Sequence, residues 1–459
     1  MATPDRLTML DEVGNRKFII PAEVKGRFHR RRTVIHAFLV GVFLALPWIR
    51  IGPTQALRLD IPGRRFEIFG QVFLSHDAPL IFFIFALFAL SLMISTVLWG
   101  RAWCGWGCPQ TVFIESIFRR IEILVEGKYL ERRKLAEAPL SLRKIGKLAT
   151  KWALFAICCS LISHSLIACF SGSAELWEMM KRPPGENWTY FLSVGSVSAI
   201  LLFNFGWFRE QFCVIMCPYG RFQSVLLDAN TKTVVYDEVR GEPRRTPANS
   251  SRSGDCVSCQ RCVQVCPTAI DIRNGLQMEC IGCTACIDAC DEIMKKLKKP
   301  IGLISYRSLA AKPRSIFRRP RVLAYFSIAI LMIGGFIFHL AGRRVFAATV
   351  LRATETPYQI SPDGKIVNHF KLHLFNQAQT NQSFRLKLAK NVLSAHTLIQ
   401  PAESYDIPSE TSKTIHLFVS IAPEDLKTRT KEPLHLVIEE VHSGELQESD
   451  LTFVGPLNF

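Results

Sequence analysis

No cysteine lies beyond Cys290, so the last third of this 459-residue chain carries no thiol. The 15 cysteines before that point do not read as a disulfide framework, because eight fall into tight C-x-x-C runs of ligand spacing. No cleavable signal peptide is expected either. The first apolar run begins after about thirty largely polar residues, and no A-x-A site follows it. Acidic side chains are scarce, 39 against 56 Lys and Arg, which leaves a net charge of +17. The basic residues form no isolated basic domain, so a nucleic-acid partner is not expected. The basic residues sit beside long apolar runs, where they act as topology determinants facing anionic lipid.

What is abundant is apolar surface: 49% of residues, with 32 Phe. Charged residues are 21%. The balance fits a mixed membrane and soluble chain of two or three domains. Five segments approach the roughly 20 residues a helix needs to cross a bilayer. They are Val34–Ile49, Ala78–Trp99, Trp152–Phe170, Thr189–Phe208 and Val322–Ala341. The first is short and contains Pro47. Lys and Arg crowd the arm before the first span (Arg16, Lys17, Lys25, Arg27, Arg30–Arg32) and the loop after the second (Arg119 to Lys147). The loop after the first span has only Arg58, Arg64 and Arg65. The charge bias therefore places residues 1–33 in the cytoplasm as an arm. A four-span bundle follows at 34–248, then a cytoplasmic cysteine-rich domain at 249–300. A basic linker (301–321), a fifth span (322–341) and a periplasmic domain (342–459) complete the expected order, in a bacterial inner membrane.

The periplasmic domain alternates. Phe370, Leu372 and Leu374 stand among polar residues, as do Phe384, Leu386 and Leu388. Ile415, Leu417, Val419 and Ile421 repeat the pattern, and so do Leu434, Leu436 and Ile438. Period two in several short runs predicts a β-sandwich with a polar outer face.

The most specific signal is a pair of C-x₂-C-x₂-C-x₃-C runs. One is Cys256, Cys259, Cys262 and Cys266, followed by Pro267; the other is Cys280, Cys283, Cys286 and Cys290. In such a run three cysteines wrap three iron corners of a cubane, and the fourth ligates the other cluster. Two [4Fe–4S] clusters are therefore expected, one on Cys256, Cys259, Cys262 and Cys290, the other on Cys280, Cys283, Cys286 and Cys266. Zinc takes four ligands in two separated pairs, which two identical quartets fit poorly. The runs resemble a two-cluster ferredoxin domain, except that Asp291 follows Cys290 where ferredoxins often have Pro.

A second constellation ends the second and fourth spans. Cys104-Gly-Trp-Gly-Cys108-Pro109 and Cys213-Val-Ile-Met-Cys217-Pro218 are both C-x-x-x-C-P. Spacing of i, i+4 would put both thiols of a pair on one helix face, about 6 Å apart. The proline ends that turn and can start the next helix. Amphipathic helices lying on the membrane are expected after each, with stripes of Ile114, Ile117, Ile121 and Leu124, and of Phe222, Val225 and Leu226. Soft thiolates select Cu(I), zinc or iron–sulfur, and Met216 would add a thioether. Buried cysteines acting as small hydrophobes are the plain alternative. His36, His164 and His339, and Cys158, Cys159 and Cys169, lie within spans without a recognisable metal or haem spacing.

With both constellations in place, the chain resembles the FixG/RdxA/CcoG family over nearly its full length. Further matching segments are Leu59-Asp60-Ile61-Pro62, Trp103 to Gln110, Arg209-Glu210-Gln211, Gln223-Ser224, Tyr236-Asp237-Glu238, Arg240 to Arg244 and Gly275-Leu276-Gln277. The resemblance implies an accessory role in assembling cbb-type cytochrome oxidase, with other assembly factors as partners. It also implies reduction of Cu(II) to Cu(I), a candidate copper site at Cys104, Cys108, Cys213 and Cys217, and an immunoglobulin-like terminal domain. The fold expected is thus a helical transmembrane bundle with an inserted two-cluster α+β domain and an all-β sandwich. A quinol- or ferredoxin-linked carrier and a non-catalytic assembly scaffold stay open as alternatives. The electron donor is not legible.

Overall fold

The computed structural model describes residues 18–456, apart from 53, 64, 74–76, 246–253, 311–313, 343–345, 354–355, 377, 379, 390–396, 410 and 424–430. Half of the N-terminal arm, including Arg16 and Lys17, lies outside the described residues, as does the expected domain boundary at 248/249. The chain divides into two compact units, Met1–Phe336 and Ile337–Phe459.

Among the described residues of the first unit and its end, five helices are long and apolar enough to cross a membrane. They are Arg27–Trp48, Ala78–Trp99, Leu142–Ser171, Trp188–Phe208 and Pro320–Ala341. Each contains or overlaps an expected span. Pro47 sits in the 3₁₀ turn Leu46–Trp48 at the end of the first helix, so it terminates the helix and does not kink it. The loop after it, expected only as a loop, folds into a small antiparallel sheet of Leu57–Asp60, Arg65–Ile68 and Gln71–Phe73. Ring packing holds the bundle: Phe118 stacks on Phe205 at 4.8 Å and meets Phe155 edge-on at 4.9 Å. Cys159 is fully buried in the same apolar cluster. His164 Nδ1 lies 2.7 Å from the Ser160 carbonyl on its own helix, so that imidazole is engaged locally. The fifth apolar helix is tied at its base, where Arg319 donates to the Asp228 carboxylate at 2.9 and 3.0 Å and to the Val97 carbonyl at 3.0 Å.

The segment after Cys108 is helical, as the stripe predicts, but its role differs. Pro109–Phe113 and Arg119–Glu126 are α-helical on either side of a π-helical turn, Ile114–Phe118. Ile114 is buried, and Ile117 and Ile121 pack against the Phe118–Phe155–Phe205 cluster. The stripe therefore faces protein, and only Leu124 is well exposed. The helix Pro218–Leu226 does leave Phe222 and Val225 exposed.

The cysteine-rich insert is closed by an antiparallel ribbon, Lys232–Tyr236 against Ile304–Ser308. Between these strands run the short helix Arg261–Gln264 and the helix Ala285–Lys296. Val234, Ile272, Ile287, Met294 and Leu303 form its core. The Asp288 carboxylate on the longer helix accepts from the Phe28 and His29 N–H groups at 3.2 and 2.6 Å. It thereby satisfies otherwise orphaned donors at the start of the first apolar helix. Asp291, the departure from the ferredoxin pattern, accepts from Gly302 N at 2.9 Å and pairs with Arg27.

The second unit is a pair of antiparallel sheets. One runs Thr397–Ile399, Ser412–Ile421, Ile366–Asn376, Phe346–Arg352, with Gln359–Ile360 on Ile366–Asn376. The other runs Ser404–Ile407, Gln382–Leu388, Lys431–Glu440, Leu446–Val454. The alternating residues meet in one core: Leu372, Leu374, Phe384, Leu417, Val419, Leu436 and Ile438 have no exposed surface. Leu388 is only partly buried, at the margin of that core.

Candidate metal centre

The eight cysteines of the two runs line two cavities, and the grouping crosses the runs. Cys256, Cys259, Cys262 and Cys290 surround one, with Tyr236 and Arg273 in its wall. Cys266, Cys280, Cys283 and Cys286 surround the other, which Cys262 also lines. The backbone explains the crossing. In both runs the residues flanking the second cysteine are left-handed: Ser258 and Gln260 at φ 53° and 54°, Gly282 and Thr284 at 67° and 64°. Successive turns of this kind gather N–H groups into a concave cradle suited to an anionic group. A helix starts directly after each, at Arg261 and at Ala285. Cys290 lies one turn beyond Cys286 on its helix, which carries it to the other cavity.

Burial pushes the thiols of Cys262 and Cys280 up to about 11 and those of Cys266 and Cys290 up to about 12. A metal group must take them as thiolates and release protons. Among the described residues, no three His, Cys, Asp or Glu side chains converge closely enough to share one metal ion. A zinc ion demands that convergence. A cubane carries its thiolates on separate iron corners, so an all-thiol lining around each cavity fits it.

The C-x-x-x-C-P pairs are built differently from the expectation. Cys104 lies in the short helix Ala102–Trp106, but Cys108 is extended at φ −67°, ψ 127°. Cys213 lies in the π-helical turn Phe212–Met216, and Cys217 is extended at φ −71°, ψ 113°. The two thiols of a pair therefore do not share a helix face. The cause is the proline, which clashes with helical geometry at the residue before it. Pro109 and Pro218 then open the next helices, as expected. Met216 is 63% exposed and contributes no buried thioether.

The pairs nonetheless come together. Cys104 senses the charges of Cys108 and Cys217, and Cys213 senses those of the other three. Burial pushes Cys104 up to about 11, with a smaller opposing effect from Gln223, and raises Cys108 and Cys213 as well. Gln223 is fully buried and its Nε2 donates to Cys104 Sγ at 3.3 Å. Gln110 and Asn204 exchange amide hydrogen bonds at 3.0 and 2.8 Å, and Gln110 also donates to the Arg209 carbonyl at 3.1 Å. Gln110, Arg209 and Gln223 stood in matched segments of the sequence, but nothing there assigned them these contacts.

The thiols at the helix ends abut the second cysteine cavity. Cys104 and Cys213 pack against the buried cluster that includes Ile281, Cys283 and Ala285. A Cβ on Gly105 would stand 2.6 Å from the Gly282 carbonyl oxygen, and one on Gly282 would stand 2.8 Å from the Arg101 carbonyl oxygen. Backbone meets backbone here, which only glycine allows. Arg101 clamps the junction: its guanidinium donates to the carbonyls of Met278, Cys280 (3.3 Å) and Gly220 (2.6 Å).

Beneath the junction lies a buried ion network. Glu115 pairs with Arg32 (3.2 Å) and Arg119, and Arg119 also with Glu210. Glu122 is held by Arg132 and Arg209. Arg32 in addition donates to the Cys283 carbonyl at 2.7 Å. Burial raises the Glu115 and Glu122 carboxyls, but the arginines outweigh it and hold both below the usual range.

Three family models match the chain: a 4Fe–4S binding domain over residues 80–129, a 4Fe–4S dicluster domain over 208–309, and the Ig-like fold at the C-terminus of FixG over 336–456. The nitrogen fixation protein FixG of Rhizobium meliloti is 32% identical, over 81% of this chain and 79% of its own length. The chain belongs to the FixG family. RdxA of Cereibacter sphaeroides is 32% identical over 86% of this chain and 87% of its own. RdxB of the same organism is 30% identical over 99% of each. Family membership and the two 4Fe–4S models make this an iron–sulfur electron-transfer protein with an Ig-like terminal domain. The match over residues 80–129 takes in Cys104 and Cys108, outside the two ferredoxin-type runs.

Proposed function

We propose that the chain is a membrane-embedded electron carrier that reduces Cu(II) to Cu(I) during assembly of a cbb-type cytochrome oxidase. The proposed ligand sets are Cys256, Cys259, Cys262 and Cys290 for one [4Fe–4S] cluster, and Cys280, Cys283, Cys286 and Cys266 for the other. When bound, such clusters donate electrons one at a time. Copper would be received as substrate in the neighbourhood of Cys104, Cys108, Cys213 and Cys217 by no more than two of these thiols at a time, since no three converge on one point, and thiolates favour its Cu(I) product. The observation that carries the reading is the Gly105–Gly282 contact, beside which Cys104 and Cys213 pack against the apolar cluster that contains Cys283. Gln223 orients Cys104, and Arg101 holds the two sites in register. The charge bias of the loops assigns the clusters to the cytoplasm and the terminal domain to the periplasm.

The test is anaerobic. Reduced, cluster-loaded protein mixed with Cu(II) should yield Cu(I) trapped by a chromogenic chelator, with matching cluster oxidation by EPR. Protein changed at Cys104 and Cys213 should keep its iron and lose that reaction. Unreduced Cu(II) with intact clusters would sink the reading. A second reading follows from the 4Fe–4S model over residues 80–129: the four helix-end thiols hold a further iron–sulfur group. About twelve iron per chain, in place of about eight, would select it.

A further inference from the structure

A cavity of about 220 Å³ lies beside the second cysteine cavity, between the start of the first apolar helix and the Pro109–Glu126 segment. His29, Arg32 and His36 line it from one side, Glu115 and Arg119 from another, and Cys283 from a third. We propose that this cavity binds a quinol headgroup drawn from the membrane and that His29 and His36 receive its two hydroxyl hydrogens. The proposal rests on the reading that Cys283 holds a cluster, because that cluster is where the electrons go.

Three observations select this ligand. First, His36 is 2% exposed, and among the described residues neither its Nε2 nor the buried Nδ1 of His29 has a hydrogen-bond partner. A buried polar atom left unpaired in a cavity is costly and calls for a ligand group. Two such nitrogens suit a ring with two hydroxyls. Second, the two buried arginines of the wall already have a carboxylate. Arg32 and Arg119 both pair with Glu115, so they do not form the unpaired cationic nest an anion would use, and the remaining arginine of the wall, Arg120, is exposed. Third, the helix that supplies the histidines turns an apolar flank outward: Val34 and Phe38 are 65% and 68% exposed. An isoprenoid tail can lie along that flank while the ring enters between His29 and His36.

Oxidation of one quinol breaks two O–H bonds and gives one quinone, two protons and two electrons. The protons pass to the two imidazoles. The electrons leave singly to iron–sulfur acceptors, the nearer one at Cys283, whose carbonyl receives Arg32 from the cavity wall. The clusters would then draw on the quinol pool.

The experiment uses the full-length protein in vesicles with a photoactivatable azidoquinone, followed by mass spectrometry of the peptides. Label should fall within residues 21–36 and 115–123 and should be competed by unlabelled short-chain quinol but not by inorganic phosphate. His36→Leu and His29→Gln should each lower that labelling about tenfold, the loss of one hydrogen bond to a ligand oxygen. Label elsewhere, failure of quinol to compete, protection by phosphate, or unchanged labelling in both variants would overturn the proposal. Labelling does not need the clusters. A chain that labels as stated but lacks iron would break the cluster reading and leave the quinol site standing. In iron-loaded protein the short-chain quinol and quinone should exchange electrons with clusters that dithionite reduces fully, more slowly in His36→Leu.

Discussion

Gly105 and Gly282 touch through their backbones: a single Cβ on Gly105 would stand 2.6 Å from the Gly282 carbonyl oxygen and 2.9 Å from Cys283 Cα. Two segments separated by about 180 residues of chain thus meet where one carries a helix-end thiol and the other a cluster-type cysteine.

Gly105→Ala is the direct probe of that contact. The added methyl group must push the Cys104 helix away from Gly282, at a cost of about 1–3 kcal/mol. Iron content should stay near that of the parent, while copper-dependent oxidation of the reduced clusters slows. Stopped-flow spectroscopy on dithionite-reduced protein reads the rate, and iron analysis of the same sample guards against simple cluster loss.

Ligand substitutions should separate the two cavities. Cys259→Ser or Cys283→Ser should reduce bound iron from about eight toward about four per chain, since each touches one cubane. Cys158→Ser, at a residue of the third apolar helix that lines neither cavity, should leave iron unchanged. Iron and acid-labile sulfide assays distinguish these outcomes.

Gln223→Leu removes the amide that donates to Cys104 Sγ. A lost supporting hydrogen bond of this kind typically weakens metal affinity about 10–100-fold. Competition for Cu(I) against a chelator of known strength should record that drop, with cluster iron unaffected.

Glu122→Gln leaves Arg132 and Arg209 buried without their shared carboxylate. Breaking a buried pair in this way costs about 3–5 kcal/mol. Thermal unfolding in detergent should show a fall of several degrees or more in Tm. An exposed pair such as Lys181–Glu178 should matter little when Glu178 is changed.

The same network sets an acid limit. Glu115 and Glu122 have carboxyl groups held below the usual range in the folded chain, against burial, by Arg119, Arg32, Arg209 and Arg132. A depressed carboxyl contributes stability that is fully present above the unfolded value, about 4.3, and is lost as pH falls through the folded one. Tm should therefore be level near neutrality and decline below about pH 4. Glu115→Gln should start lower and show a shallower acid decline.

Much of this molecule was legible in the chain itself. Iron–sulfur chemistry is written in spacing, because three of the four ligands of a cubane come from one short loop and its helix, so the two cysteine runs stand out locally. The five long apolar helices are legible for a similar reason, since a helix able to cross a bilayer must be apolar along its whole length. The alternation of Phe370, Leu372 and Leu374 likewise reports a two-faced strand wherever it packs.

Tertiary structure decided the rest. The stripe Ile114, Ile117, Ile121 reads equally well as facing lipid or protein, and only the neighbouring Phe155 and Phe205 turned it inward. The C-x-x-x-C-P pairs suggested thiols on one helix face; proline geometry split each pair, and gathering across elements brought the four into one neighbourhood. That Gly105 meets Gly282, that Arg101 clamps Cys280 and Gly220, and that His29 and His36 share a cavity with Cys283 all depend on residues distant in sequence. Local spacing determines which atoms a residue can offer a metal; only long-range packing determines what stands beside that metal and where its electrons can go.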